Sequence, residues 1–203
     1  MPLTNYLIEV EATVGSPFRL RREIGNLPPS RTVTEARLKM QRRPADDDAT
    51  LLLFEKLITA TLDNTQGQIK NQNLYTITTN GVALAGASTI TVLPLPVTVE
   101  SGDTVDFSGG AHAELVNIDN KPFYQGQAEL KLAEPLRKSI ANGETSLYRT
   151  VEVFFQIMSA DSRLMSGGRP HEFEIELTYD NGETDTQDYG RIVFAREATG
   201  TAA

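Results

Sequence analysis

Apolar and polar residues alternate with a period of two along several stretches of the chain. The clearest stretch is 173–179, where Phe, Ile, Leu and Tyr alternate with Glu and Thr, a pattern typical of a half-buried strand. Asn181-Gly182 follows and predicts a two-residue type I′ hairpin turn, since both central positions of that turn need a positive φ. We therefore expect the returning strand over 184–194. Residues 151–157 predict another strand because they are β-branched and aromatic, and 33–40 predict one because they alternate after a Pro-Pro-Ser turn.

Residues 51–62 fit two interpretations. Asp48 could cap a helix, and the spacing of Leu52, Leu53, Leu57 and Ala60 is compatible with one face of that helix. As a strand, the same stretch would place alternate residues on opposite faces of a sheet. Helix propensity alone favours the first interpretation.

An internal repeat occupies the middle of the chain. Each unit contains a strand, a bend with proline, a short second strand and a glycine turn, and these residue types favour such bends and turns. Two units of this kind can bury one apolar face against each other, so residues 70–149 are predicted to form a β-module of their own. Residues of the first unit recur 41 positions later: Pro94, Leu95, Gly102 and Phe107 as Pro135, Leu136, Gly143 and Tyr148.

Composition narrows the function classes. The 203 residues are 39% hydrophobic and 23% charged, which is typical of a globular domain. Apolar runs stay well short of the roughly 20 residues that span a bilayer, and residues 1–10 lack the features of a secretory signal, so no membrane partner is expected. The absence of cysteine excludes disulfides, thiolate catalysis and thiolate metal sites. A formal net charge of −8 argues against nucleic acid as a partner.

Candidate chemistry is sparse. His112 is expected in a turn and His171 at a surface or sheet edge, and neither stands in a catalytic or metal-binding motif. The acidic run 46–48 lacks the spacing, glycine and closing Glu of a calcium loop. The glycine pairs 109–110 and 167–168 lack the context of a phosphate loop and are expected in turns. We therefore expect no enzyme activity, cofactor, metal or small-molecule substrate.

Two features are candidates for partner binding. The N-terminal segment, with Tyr6 and Ile8, can form a strand that either closes the sheet of its own chain or crosses to a neighbour. Arg19, Arg21 and Arg22 form the other feature, and Arg19 and Arg21 share one face of a strand. Solvated surface is the simpler interpretation of such a cluster, but a basic stripe in an acidic protein can also dock an acidic neighbour.

Six segments of the chain form a joint pattern: 35–40, 43–48, 53–58, 153–157, 159–164 and 168–177. Together they resemble an immunoglobulin-like domain of phage baseplate and tail proteins. The resemblance implies two strands around an acidic loop in the first half. In the second half it implies a strand, a short helical turn with Asp, a Pro/Gly corner and a closing hairpin. It also implies that 51–62 is a strand rather than a helix.

The middle of the chain resembles a small β-barrel-like repeat of phage virion proteins, on residues Gly86, Ala87, Thr91, Val92, Pro94, Leu95, Pro96, Gly102 and Phe107. The expected architecture is therefore all-β: an immunoglobulin-like β-sandwich, over 1–69 and 150–203, interrupted by a β-barrel-like inserted domain at 70–149. Insertion into a loop of this kind is physically reasonable where the loop ends lie close together.

The resemblance implies a function as well. We expect a non-enzymatic structural component of a phage particle, made in the host cytoplasm and located in the virion. A tail or baseplate subunit that links other virion proteins, including further copies of this chain, fits best. A decoration or cement protein on the capsid is the first alternative. A carbohydrate-binding or host-receptor module is the second, although such sites usually need convergent exposed aromatics.

Overall fold

The structure is a computed structural model that describes residues 5–42, 52–165 and 170–195. The acidic run 46–48 and the glycine pair 167–168 lie outside these residues. Twelve strands, one short helix (α1) and a 3-10 turn at Ile118–Asn120 follow one another along the described chain. The strands are β1 Asn5–Thr13, β2 Phe18–Leu27, β3 Val33–Arg42, β4 Leu52–Thr59, β5 Gly67–Thr78, β6 Thr89–Thr91, β7 Thr104–Asp106, β8 His112–Glu114, β9 Glu129–Lys131, β10 Thr145–Ile157, β11 Pro170–Tyr179 and β12 Thr184–Ala195, with α1 at Ser159–Ser162 between β10 and β11.

The prediction of an all-β sandwich is confirmed. One sheet has five strands in the order β1-β12-β11-β3-β4, and another has three in the order β2-β10-β5. Neighbouring strands of the larger sheet pair antiparallel, except β1 and β12, which pair parallel. The N-terminal segment therefore closes the sheet of its own chain as an edge strand, with Tyr6 opposite Gly190 and Ile8 opposite Ile192.

The structure decides two local predictions, the conformation of residues 52–59 and the type of turn between β11 and β12. Residues 52–59 form an edge strand, as the resemblance implied, and the helical interpretation is wrong. The hairpin between β11 and β12 is also not the predicted two-residue turn. Gly182 has a positive φ but Asn181 does not, and the Gly182 amide donates to the Tyr179 carbonyl. The loop is therefore a three-residue turn that ends on a left-handed glycine, a common alternative geometry.

By its internal contacts the described chain divides into two compact units. Of the described residues, unit one contains 25–31 and 71–151, and unit two contains 5–24, 32–42, 52–70, 152–165 and 170–195. The sequence placed the inserted module at 70–149, without the short segment 25–31. This segment contains the last three residues of β2 and the turn after it, and Asn26 within it adopts a left-handed φ of 55°.

The central strands of unit two bury one of their two sides. Alternate residues of β3 and β11 are buried, among them Leu38, Met40, Phe173 and Ile175, and Phe155 of β10 is also fully buried. The opposite side of the larger sheet carries charged pairs between neighbouring strands, such as Lys39 with Glu176 at 2.6 Å. The period of two in the sequence thus becomes an apolar face and a polar face.

Unit one is built around a local two-fold relation. β6 and β9 pair antiparallel about Ile90 and Leu130, which are equivalent positions of the sequence repeat. The turns of each repeat bond to the other repeat: the Gly126 amide donates to Leu95, and the Gly86 amide donates to Leu136. These paired hydrogen bonds interlock the two halves of the repeat.

The same relation extends to side chains that hold turns. The Asp103 carboxylate accepts from the Glu100 amide, and at the equivalent position the Glu144 carboxylate accepts from the Ala141 amide. Apolar residues of both repeats form one buried cluster, including Ile90, Leu95, Leu130, Leu136 and Ile140. The described strands of this unit form short ladders and isolated bridges rather than a closed barrel.

Candidate docking surface

The part of β10 in unit two places one aromatic ring on the outward side of its sheet. Val153, Phe155 and Ile157 are buried on one side of the strand. By the alternation of a strand, Glu152, Phe154 and Gln156 lie on the opposite side. Phe154 is nevertheless only 8% exposed, so neighbouring side chains must cover it.

Two cations provide that cover, and they come from the strands on either side of β10. The Arg19 guanidinium of β2 lies 5.6 Å from the Phe154 ring centroid, and the Lys70 ammonium of β5 lies 4.7 Å from it. Both distances are within the range of cation–π attraction. Arg19 is oriented further by its Nε, which donates to Gln156 Oε1 at 3.0 Å.

A third cation, Arg21, lies on the same side of β2 as Arg19. Its Nε is 2.6 Å from Glu152 Oε1, and Glu152 is much less exposed than Arg21. Among the described residues, Arg19 and Lys70 have no such carboxylate partner. We call Arg19, Arg21, Lys70 and Phe154 the cationic patch. The positive charges of Arg19 and Lys70 beside the ring are not compensated within the patch, so the patch can bind an anionic group.

The structure brings together only part of the predicted docking set. Arg19 and Arg21 share a face as predicted. Arg22 is half-buried on the other side of β2, in the phase of the buried Leu20 and Ile24, so it does not join the patch. Tyr6 and Ile8 lie in β1, which belongs to the other sheet, and their side chains are outside the described set.

Lys70 and Phe154 were missed by the sequence reasoning. Phe154 lies in an apolar run with Val153 and Phe155, so the sequence alone could not assign it to the outward face. Lys70 lies in a strand that the pattern did not predict. The polar alternation of Gln68 and Lys70 around Ile69 was the available signal.

The two histidines are separate from the patch. His171 is 3% exposed on the buried side of β11, a central strand, so its predicted surface position is wrong. It occupies the inward phase of 173, 175 and 177 because the period of two continues to the start of the strand. His112 begins β8 rather than lying in a turn, and its Nδ1 lies 2.7 Å from Asp106 Oδ1.

Gly110 lies in a turn with a φ of 83°, as the sequence predicted for this glycine pair. Three or more His, Cys, Asp or Glu side chains that could hold a metal ion do not gather anywhere in the described part of the chain.

No protein-family model matches the sequence, and no curated protein is significantly similar to it. Within the described ranges, no helix is long and apolar enough to cross a membrane.

Proposed function

We propose that this protein is a non-enzymatic structural subunit of a phage particle, of the tail or baseplate type, which links other virion proteins. The resemblance of the sequence to phage baseplate and tail domains supports the virion role. The cationic patch supports docking to a neighbouring protein, because its cations surround an aromatic ring and form a charged surface without the arrangement of a reactive centre. Arg19 and Lys70 already lie over the Phe154 ring in the chain without a partner. A partner with an acidic group then meets charge whose geometry is already set.

The charge of the chain supports the same interpretation. The protein is acidic overall, with a net charge of −8, so a local positive surface orients an approaching neighbour with an acidic surface. Further copies of this chain are one source of such a surface. Exposed ion pairs contribute little singly, about 0–1 kcal/mol, so binding through the patch depends on many copies acting together in a particle.

Charge reversal tests the proposal. The double variant Arg19→Glu, Arg21→Glu should be incorporated into particles roughly 10-fold less than the original chain, since avidity multiplies a small loss per contact. Tagged chains are produced together with the particle, and their copy number is measured in gradient-purified particles. Arg137→Glu, an exposed arginine of unit one, is the matched control and should be incorporated normally.

The possible outcomes test two claims separately: that the cationic patch is the docking surface, and that the protein is a structural subunit of a particle. Full incorporation of the double variant, with unchanged circular dichroism, would reject the cationic patch as the docking surface. If the original chain itself never co-sediments with particles, the structural role is rejected. The decoration-protein alternative predicts that the chain accompanies isolated heads rather than isolated tails.

A further inference from the structure

Unit one contains a cavity of about 460 Å³ between the turn after β2 and the first residues of β7 and β10. Its volume lies within the range of roughly 300–1,000 Å³ typical of ligand sites. Pro28, Pro29 and Leu147 supply apolar surface, and Thr104 and Thr145 supply hydroxyl groups. Leu147 is 50% exposed, so the cavity is open to solvent along its apolar side.

The walls of the cavity are held in place by hydrogen bonds within the unit. The Arg149 guanidinium donates to the Pro29 carbonyl through Nε at 3.1 Å and through Nη2 at 2.8 Å. On the opposite wall, the Asp106 amide donates to Ser146 Oγ at 3.1 Å. A ligand would therefore meet a surface that is already formed, which lowers the entropic cost of binding.

Tyr148, which lines the cavity, belongs to a buried polar pair. The Tyr148 hydroxyl donates to Asp103 Oδ2 at 2.5 Å. Burial raises the pKa of the Asp103 carboxyl, and the bonds from Tyr148 and from the Glu100 amide act in the opposite direction. Burial, together with the nearby Asp103 charge, also raises the pKa of Tyr148 well above its usual value. Since these two groups satisfy each other, neither is available to a ligand.

Asp106 is the one charged residue among the described residues that line the cavity. Its carboxylate is 79% exposed, and Oδ1 of this carboxylate lies 2.7 Å from Nδ1 of the exposed His112 ring. A carboxylate beside apolar walls, with no lining cation, disfavours an anionic ligand. It favours a ligand with one positive charge and an apolar stem, which is the chemistry of an arginine or lysine side chain.

We propose that this cavity binds a basic side chain, preferentially arginine, on an extended segment of a partner protein. Asp106 receives the guanidinium, and Pro28, Pro29 and Leu147 contact the apolar neighbours of that arginine. An attached segment suits this open site better than a free small molecule, because small-molecule sites usually enclose most of their ligand. This site lies in unit one and does not depend on the cationic patch of unit two.

Peptide titration of the full-length protein tests this proposal. The probe is acetyl-Ala-Leu-Arg-Leu-Ala-amide, and its comparison is the same peptide with citrulline, which keeps the shape and removes the charge. Amide chemical shifts measure both affinities and locate the bound peptide. The arginine peptide should bind about 3–5-fold more tightly, the range expected for one exposed ion pair, and should shift the amides of Thr104, Asp106 and Leu147.

Two variants assign the preference to the carboxylate. Asp106→Asn should reduce the arginine-to-citrulline ratio to about one, whereas Asp119→Asn, at an exposed aspartate outside the cavity lining, should keep it. Equal affinities in the original protein, a ratio that survives Asp106→Asn, or no binding of either peptide would overturn the proposal. It would also be overturned if maltoheptaose shifted the cavity amides while the peptides did not, since that would indicate a glycan site.

Discussion

Tyr179, the last residue of β11, shows how burial sets the chemistry of one side chain. Its ring is 4% exposed, and its hydroxyl has no hydrogen-bond partner among the described residues. Burial, with a smaller contribution from the charge of Asp185, raises the pKa of Tyr179 to about 12. The folded protein therefore holds this tyrosine neutral at a pH where an exposed tyrosine, with a pKa near 10, already ionises.

This shift predicts an alkaline loss of stability. Because the folded pKa is raised, the stabilising effect is complete below about pH 10 and is lost as the pH rises toward 12. Unfolding in urea at pH 8, 10 and 11.5 should show a steeper alkaline decline for the original protein than for Tyr179→Phe, which cannot ionise. Absorbance at 295 nm should show one less late-titrating tyrosine in the variant. Identical pH dependence of the two proteins would contradict the assignment.

At single positions, the sequence predicted which residues of a strand share a face more reliably than it predicted the environment of individual residues such as histidines and turn residues. Alternation correctly separated the two faces of β11, but it could not show that His171 continues the buried phase. The Asn-Gly pair correctly indicated a hairpin, yet the number of loop residues depends on which of the two adopts the left-handed conformation. The sequence left the side of Phe154 ambiguous because its neighbours Val153 and Phe155 are also apolar, and the contacts with Arg19 and Lys70 become visible only in the fold.

At the scale of elements, a buried ion pair connects β4 and α1. Lys56 lies on the buried side of β4, is 6% exposed, and its Nζ is 2.7 Å from Asp161 Oδ2. The same Asp161 oxygen accepts from the Met158 amide at 2.8 Å, at the start of α1. One carboxylate therefore satisfies both an edge strand and the first turn of a helix too short to be stable alone.

We predict that Lys56→Met destabilises the protein by about 3 kcal/mol, because it leaves the half-buried Asp161 without its cation. The double variant Lys56→Met, Asp161→Asn should recover part of that loss, since it removes the uncompensated charge and keeps an acceptor for the Met158 amide. Chemical denaturation of both variants measures the difference. Arg37→Met, which breaks an exposed pair with Glu55 on the other face, is the control and should cost under about 1 kcal/mol. An equal effect of Lys56→Met and Arg37→Met would contradict the role of burial.

Residues 52–59 show that local sequence properties cannot always distinguish a strand from a helix. Their leucines fit a helix equally well, and propensity favoured that interpretation. In the fold, Lys56 and Ile58 alternate inward while Glu55 and Leu57 alternate outward, because β3 supplies a register of backbone hydrogen bonds along the whole segment. Tertiary pairing thus overrides propensity, and no property of these eight residues alone could predict it.

At the scale of the molecule, the repeat was readable in the sequence but its mode of pairing was not. The spacing of prolines and glycines in the sequence indicated where the two repeats lie. The exchange of hydrogen bonds between them, with Ala83 bridging Ile140 and Val99 bridging Phe123, follows from which strand passes beside which. The membership of 25–31 in unit one likewise depends on contacts distant in sequence, so a continuous module could only approximate it.

Unit two should fold without unit one. A two-part excision isolates unit two. Residues 71–151 are replaced by a short Gly/Ser linker that joins Lys70 to Glu152, and residues 25–31 are replaced by a second linker. A short linker suffices between Lys70 and Glu152 because β5 and β10 are neighbouring strands, and the Gln156 amide donates to the Gln66 carbonyl at 2.8 Å. We expect one cooperative urea transition, with a smaller m-value because less surface is exposed on unfolding.

A second excision serves as the control, because it removes 71–151 but keeps 25–31. Leu27 is buried in the full protein and belongs to unit one, so this variant should expose it and bind more of a hydrophobic dye than the two-part excision. A broad, non-cooperative transition in the two-part variant would show that unit two has no self-sufficient core. Equal dye binding by the two variants would show that 25–31 is not an integral part of unit one.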